Sequence, residues 1–306
     1  METVCGVMLP VTATAPTLVD LARHSEAAGV DELWIPEDLG LHGGIALATA
    51  VLAATERVPV GLGIAPAAAR HPAFLAMQAA TLGQLYPGRF RLGVGHGMPE
   101  WMRSLGIWPT SPLVRLEETL VTVRRLLAGE RVTVTGDEVE LDGVQLATAP
   151  VDVPLYAGVR GPRSLEVAGR AADGVVLAGW AGPAYIREAR DRVEATAGRT
   201  LRVVASARFA VDRARSDRSA HDRLLADLAQ AGASIAAMLV DRSRDAAGSD
   251  LAQLLPEVGI AGDLDVLRRG IARWHAAGAD VVLLDPLTVD DLEAAIAGGI
   301  LDGGLD

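Results

Sequence analysis

Short aliphatic runs of strand length alternate with longer stretches of helical period along the whole chain. Val4 to Leu9 is a continuous apolar run. Leu18, Leu21, Ala22, Ser25 and Ala28 then recur at helical spacing, with Thr17 and Asp20 set as a capping box and Gly29 as a stop. The same periodicity predicts further strands at 32–36, 58–64, 89–95, 153–158, 174–178, 201–211 and 279–284. It predicts helices at 45–56, 73–85, 112–127, 162–171, 183–197, 219–231, 263–277 and 288–297. Eight strands result if the apolar run Ile235 to Val240 is counted as helix or insertion. Eight βα units in a chain of 306 residues have the size of an α/β (β/α)8 TIM barrel. A doubly wound open sheet is the alternative at this length.

Residues 131–146 interrupt the alternation. Val132, Val134, Val139, Leu141, Val144 and Leu146 flank Gly136 and Asp137, which predicts an inserted β-hairpin outside the main sheet. The polar stretch Asp241 to Asp250 reads as a surface loop, and Asp212 to Arg223 as a solvated loop and helix face. No composition shift marks a linker, so one domain over 1–306 is expected.

Composition narrows the function classes. The chain is 50% hydrophobic, with 28 basic against 39 acidic side chains and a formal charge of −11, which disfavours nucleic acid and anionic membrane surfaces as partners. All 28 cations are arginine, and there is neither Lys nor Asn, so Schiff-base lysines, P-loop lysines and Cys-His-Asn sites are excluded. A lone Cys5 excludes a disulfide framework and a multi-cysteine metal site, which points to a reducing compartment, the cytoplasm. Met1 to Val7 carries no basic n-region of a signal peptide, and Ile45 to Ala54 falls short of the about 20 residues that span a bilayer.

Barrels carry their chemistry at the carboxyl ends of the strands. Those positions here are Pro10, Glu37 and Asp38, Ile64 to Pro66, His96 and Gly97, Gly158 to Arg160, Gly179 and Trp180, Arg208, and Asp285. Three stand out. Glu37 and Asp38 are adjacent carboxylates beside Trp34 and just ahead of His42, a pattern suited to general acid–base work and equally to an N-cap with a solvated acid. Gly93, Gly95 and Gly97 around His96 would let backbone approach a ligand, but the third glycine of a dinucleotide fingerprint is missing and Pro99 follows. At 158–164, Gly161 turns the chain and Pro162 opens a helix, so free N–H groups with Arg160, Arg163 and Ser164 form either a phosphate cradle or a capped turn. Trp101, Trp108 and Trp180 fall on mouth loops, where a ring could stack on a planar ligand or simply pack. The six histidines form no i, i+4 pair, and no metal site is expected.

The stretch 60–72 (VGLGIAPAAARHP), continued by 86–97 (YPGRFRLGVGHG), resembles the luciferase-like monooxygenase superfamily, in its branch that uses the deazaflavin coenzyme F420. LWIPED at 33–38, the hairpin, GPR at 161–163 with AGRAADG at 168–174, and AGAD at 277–280 extend the resemblance over nearly the whole chain. It implies a TIM barrel with an inserted region and a non-prolyl cis bond at Gly63-Ile64 whose bulge, with Ala65, would back the deazaflavin ring. It further implies cofactor contacts at His96, Gly97 and Trp101, phosphate contacts at Arg160, Gly161, Arg163 and Ser164, and a ring hydrogen bond from Glu37. Asp38 replaces a frequent active-site His, and Met98 replaces a catalytic Glu of the sugar-phosphate dehydrogenases. The lysines that hold the sugar phosphate in those enzymes cannot exist here, so glucose-6-phosphate is not the expected substrate.

The expectation is an oxidoreductase moving a hydride between F420 and an unidentified small organic substrate. Glu37, Asp38, His42 and His96 are its acid–base candidates, and a homodimer is the form the resemblance implies. The alternatives are an FMN-dependent monooxygenase of the same fold, a flavin- or deazaflavin-binding protein without catalysis, and a phosphate-binding lyase without flavin. Specificity would reside in the loops 99–112 and 241–262.

Overall fold

The computed structural model describes residues 4–177, 179–213, 217–231 and 251–301. In chain order the first elements are β1 Val4–Met8, α1 Ala15–Ala27, β2 Glu32–Ile35, α2 Gly44–Ala54, β3 Val60–Pro66, α3 Pro72–Leu85, β4 Phe90–Gly95, α4 Pro99–Ser104 and α5 Pro112–Leu127. There follow β5 Val132–Thr135, β6 Glu140–Val144, β7 Leu155–Gly158, α6 Pro162–Ala171, β8 Gly174–Leu177, α7 Pro183–Ala197, β9 Arg202–Val211 and α8 Ala220–Ala231. The described chain ends with α9 Leu251–Val258, β10 Gly259–Gly262, α10 Leu264–Ala276, β11 Val281–Pro286 and α11 Val289–Ala297. Contacts group these elements into two compact units, one of residues 1–33, 177–191 and 202–306, the other of 34–176 and 192–201.

In the first unit, β10, β9, β11 and β1 lie side by side, all parallel, with Asp285 opposite Arg208 and Val4 opposite Val281. Val281 to Leu284 and Val203 to Ala205 are fully buried, the continuous apolar runs of a parallel sheet covered on both faces. Asp291 at the start of α11 is a buried hub. It accepts from the Val211 amide at 3.0 Å, the Thr288 hydroxyl at 2.6 Å and both terminal nitrogens of Arg223 at 2.9 Å.

The second unit orders β3, β4, β7 and β8 as parallel neighbours. Helix α5 buries Leu116, Leu120, Val123 and Leu127, an i, i+4, i+7, i+11 stripe. The hairpin β5–β6 forms its own antiparallel sheet, as its pattern predicts. Glu118 of α5 anchors it by accepting the amides of Asp137, Glu138 and Val139 at 2.8–3.0 Å. A Cβ at Gly136 would lie 2.4 Å from the Glu118 carboxylate, so a larger residue there would push this anchor aside.

Several predicted details shift. Helix α1 is capped by Thr14, whose hydroxyl accepts the Thr17 amide, and not by Thr17, because Pro16 at the first turn fixes an earlier start. Strand β3 runs two residues later than 58–64. The loop 99–112 opens with helix α4, started by Pro99, and 251–262 holds a helix and the parallel strand β10 rather than loop. The expectations for Ile235 to Val240 and Asp241 to Asp250 lie outside the described residues.

Candidate active site

The carboxyl ends of β2, β3, β4 and β7 supply the expected site residues of the second unit. The bond Gly63-Ile64 is cis, and the β3–β4 register shifts between Leu62 and Ala65. Ile64 thereby seats its side chain over glycines on two neighbouring strands. A Cβ would fall 3.1 Å from it at Gly93, 2.9 Å at Gly95 and 2.3 Å at Gly158. The Gly93 and Gly95 positions expected to admit a ligand therefore admit Ile64 and the neighbouring backbone instead. Below this shelf, Trp34 is fully buried edge-on to Tyr156, with centroids 5.3 Å apart, and lies flat against Gly61.

Glu37 is held by Arg70. Both guanidinium termini donate to its carboxylate, at 2.7 and 2.5 Å, and the Gly44 amide donates to it at 2.9 Å, where α2 begins. Arg70 is itself positioned by Arg115. The Arg115 guanidinium donates to the carbonyls of Ala67, Arg70 and Glu138, tying the loop after β3 to the hairpin. Burial pulls the Arg115 pKa down, and Glu138 and Glu118 offset part of that. Asp38 and His42 are half-buried on the same loop as Glu37, and the Asp38 carbonyl accepts the Leu41 amide.

His96 follows β4, and its Nε2 pairs with the buried Ser164 hydroxyl at 2.9 Å. Its Nδ1 is buried without a hydrogen bond of ordinary geometry. Burial holds the imidazole below its usual pKa, with the Pro112 carbonyl pulling weakly the other way. Gly97 has φ +74°, a conformation that favours glycine, and a Cβ there would press on Pro66 and Met102. Gly161 is the N-cap of α6, no described side chain caps that end, and Arg163 is exposed beside it. Trp101 is half-buried on α4, and Arg103 covers the Trp108 ring at 4.9 Å. Geometry thus joins Glu37 to the loop after β3 and His96 to Ser164, while Trp180, in the other unit, is buried against Gly259 rather than open for stacking.

Arg70 and Arg115 were not singled out in the sequence. Their signal there is faint, an arginine ending a run of alanines and another four residues into a helix.

Solved structures with the same arrangement of elements are (β/α)8 barrels. An F420-dependent secondary alcohol dehydrogenase in complex with an F420-acetone adduct superposes with a TM-score of 0.80 at 22% identity, over 97% of this chain and 98% of that one. The coenzyme F420 dependent tetrahydromethanopterin reductase from Methanopyrus kandleri gives 0.81 at 20%, with the same coverage. The fold is therefore a (β/α)8 barrel, as the alternation of elements predicts. The luciferase-like monooxygenase family matches residues 4–280, and the chain belongs to that family. Among curated relatives, an F420-dependent glucose-6-phosphate dehydrogenase of Nakamurella multipartita is 37% identical over 202 residues, 60% of this chain and 59% of its own length. A 5,10-methylenetetrahydromethanopterin reductase of Methanolobus tindarius is 32% identical over 156 residues, 51% and 48%. The chain spans about half to three-fifths of the length of these relatives.

Proposed function

We propose that the chain is an oxidoreductase that binds F420 at the strand ends of the second unit and passes a hydride between it and a small organic substrate. The observation that carries this reading is the Ile64 shelf, an aliphatic side chain raised over Gly93, Gly95 and Gly158 that suits the face of a planar ring. Gly63, Ile64 and Ala65 would back the ring, with Gly97 and Trp101 beside it. The uncapped start of α6, with Arg160, Gly161, Arg163 and Ser164, suits the anionic tail, since helix N-termini and arginine both favour phosphate. Bound F420 supplies two-electron hydride chemistry, and the protein supplies orientation and exclusion of water. Relatives named as F420-dependent support the choice of cofactor.

In this reading Glu37 is an orienting group. Its carboxylate, already accepting from Arg70 and the Gly44 amide, fixes the loop that presents Asp38 and His42. Asp38, His42 and His96 are then the candidates to hold or move the substrate proton. Burial disfavours the imidazolium form of His96, whose Nε2 engages Ser164.

Fluorescence titration of the protein with F420 and, side by side, with FMN tests the reading. Saturable F420 binding that exceeds FMN binding is expected. Preference for FMN would favour a flavin monooxygenase, and binding of neither by the folded chain would overturn the cofactor assignment. Homodimerisation and cytoplasmic residence belong to the same reading. The outward side of α3 exposes Phe74, Met77 and Leu85 by 50–64%, and adjacent α5 exposes Val121, an apolar face fit for a second copy. Light scattering at micromolar concentration checks it.

A further inference from the structure

In the first unit, residues of α8, α9, β10 and α10 line a groove of about 240 Å3. Leu255, Ile260 and Val266 give it apolar walls, and His221, Arg269 and Arg273 line it as well. The contribution of α10 is a single helix face, since Val266, Arg269, Gly270 and Arg273 recur at i, i+3, i+4 and i+7. Gly270 lets β10 come close to that face, because a Cβ there would lie 2.5 Å from Ile260 Cδ1. Arg269 and Arg273 therefore stand one turn apart on the same side of the helix, where like charges repel. No described residue pairs with Arg269. Asp265, one turn before it, accepts from Arg268 instead, at 3.0 Å. Arg273 is already positioned, with a terminal nitrogen donating to the Pro256 carbonyl and the guanidinium over the Trp274 ring at 4.8 Å. Burial pulls the Arg273 pKa below the ordinary arginine value, and the Glu257 carboxylate offsets part of that.

We propose that this groove is a second binding site, for a small carboxylate whose apolar body is the size of one ring. An apolar cavity of about 150 Å3 holds a benzene ring, so 240 Å3 leaves space for a ring with a carboxylate arm. The ring takes the walls of Leu255, Ile260 and Val266, where apolar area leaves water. The carboxylate takes Arg269 and Arg273, since the guanidinium fork matches its two oxygens. An anion there offsets the repulsion between the two arginines and supports the charge that burial disfavours at Arg273. An inorganic anion can use only the arginines and a neutral ring only the walls, so the combination defines the ligand class. The groove lies wholly in the first unit and shares no residue with the proposed cofactor site, so the inference does not depend on F420 binding. With a formal charge of −11 the chain has little general attraction for anions, and saturable binding of one reports a local site.

Calorimetric titration of the full chain with benzoate, benzyl alcohol and inorganic phosphate tests this. Benzoate is expected to saturate with a Kd of about 1 mM or below, and the other two to bind at least about tenfold more weakly. Arg269→Ala removes a charge that no described residue uses. It should weaken benzoate about tenfold, leave benzyl alcohol unchanged and not lower the urea midpoint. Arg273→Ala should weaken benzoate too, but it also gives up the Pro256 and Trp274 contacts, so Arg269 carries the test. Arg163→Ala, at the start of α6, should leave benzoate affinity as it is, which separates the groove from the proposed phosphate cradle. Phosphate binding as tight as benzoate would overturn the proposal, as would no benzoate saturation by about 10 mM. So would a benzoate affinity that ignores Arg269→Ala or is lost with Arg163→Ala.

Discussion

Gly158→Ala probes the packing that creates the proposed ring shelf. A Cβ at 158 would lie 2.3 Å from Ile64 Cγ2, 3.2 Å from Cγ1 and 3.3 Å from Cβ. Carbon atoms in contact settle at about 3.5–4.0 Å, so the Ile64 side chain would have to retreat by roughly 1 Å or more. It has little room, since Gly93 and Gly95 on β4 already approach it to within about the distance of a missing methyl group. The φ of residue 158 is not in the left-handed region, so the backbone itself tolerates alanine. The expected cost is that of overpacking, about 1–3 kcal/mol, readable as a shift of the urea midpoint at constant slope. Ile64→Ala removes the two γ carbons and with them the main clash. Gly158→Ala in that background should cost close to nothing, leaving a coupling of about 1–3 kcal/mol between the sites. F420 titration of the four proteins should show Gly158→Ala weakening the cofactor and the double variant not recovering it, because the shelf is then gone. Costs that add to within about 0.5 kcal/mol would refute the packing account.

Three further outcomes follow from single groups. Burial holds the His96 imidazole below its ordinary value near 6.5, so the unfolded chain binds the proton more readily. The stability this contributes is complete above that pH and is lost as pH falls below it. His96→Gln should flatten the acid-side decline in urea stability, and an unchanged slope would contradict the buried neutral ring. Asp291→Ala strands Arg223, 12% exposed, opposite an emptied buried site, and should cost about 3–5 kcal/mol by urea unfolding, whereas a loss under about 1 kcal/mol would refute the hub. Cys5 is 4% exposed, and burial, with Asp31 nearby, pushes its thiol up to about 12. It should ignore a disulfide reagent at pH 8 until the chain is unfolded, and prompt native reaction would contradict the packing of β1.

The alternation of elements was legible because it rests on local period, and local period survives in a single sequence. Helix ends were legible wherever a side chain or proline marks them, as at Asp263, Pro112 and Pro162. They slipped where two candidates compete, Thr14 against Thr17. Strand β10 was illegible for a different reason. Gly259 to Gly262 has two glycines in four residues and becomes a strand only by pairing with β9. In the site, the residues at strand ends could be named in advance, but their partners could not. Glu37 meets Arg70 across 33 residues, His96 meets Ser164 across 68 and Arg208 meets Asp285 across 77. A carboxylate that reads as a general acid in isolation becomes an anchored group once its arginine is known.

The arginine-only cation set gives those pairings their character. Arg115 grips three carbonyls in two loops, Arg70 clamps a carboxylate with both termini, and Arg223 spans Asp291 and the Val211 carbonyl. A lysine carries its charge at one point and has no planar fork, so it could satisfy any one of these partners but not hold all of them in register. A chain of net charge −11 can therefore still spend much of its positive charge inside itself as scaffold. What an anionic ligand meets is decided locally. Beside the start of α6, Arg163 is exposed next to helix amides that no described side chain caps. At the end of β9, two carboxylates have already claimed Arg208. The same residue type thus stands exposed at one strand end and paired with two carboxylates at another, and the difference lies in its neighbours rather than in net charge.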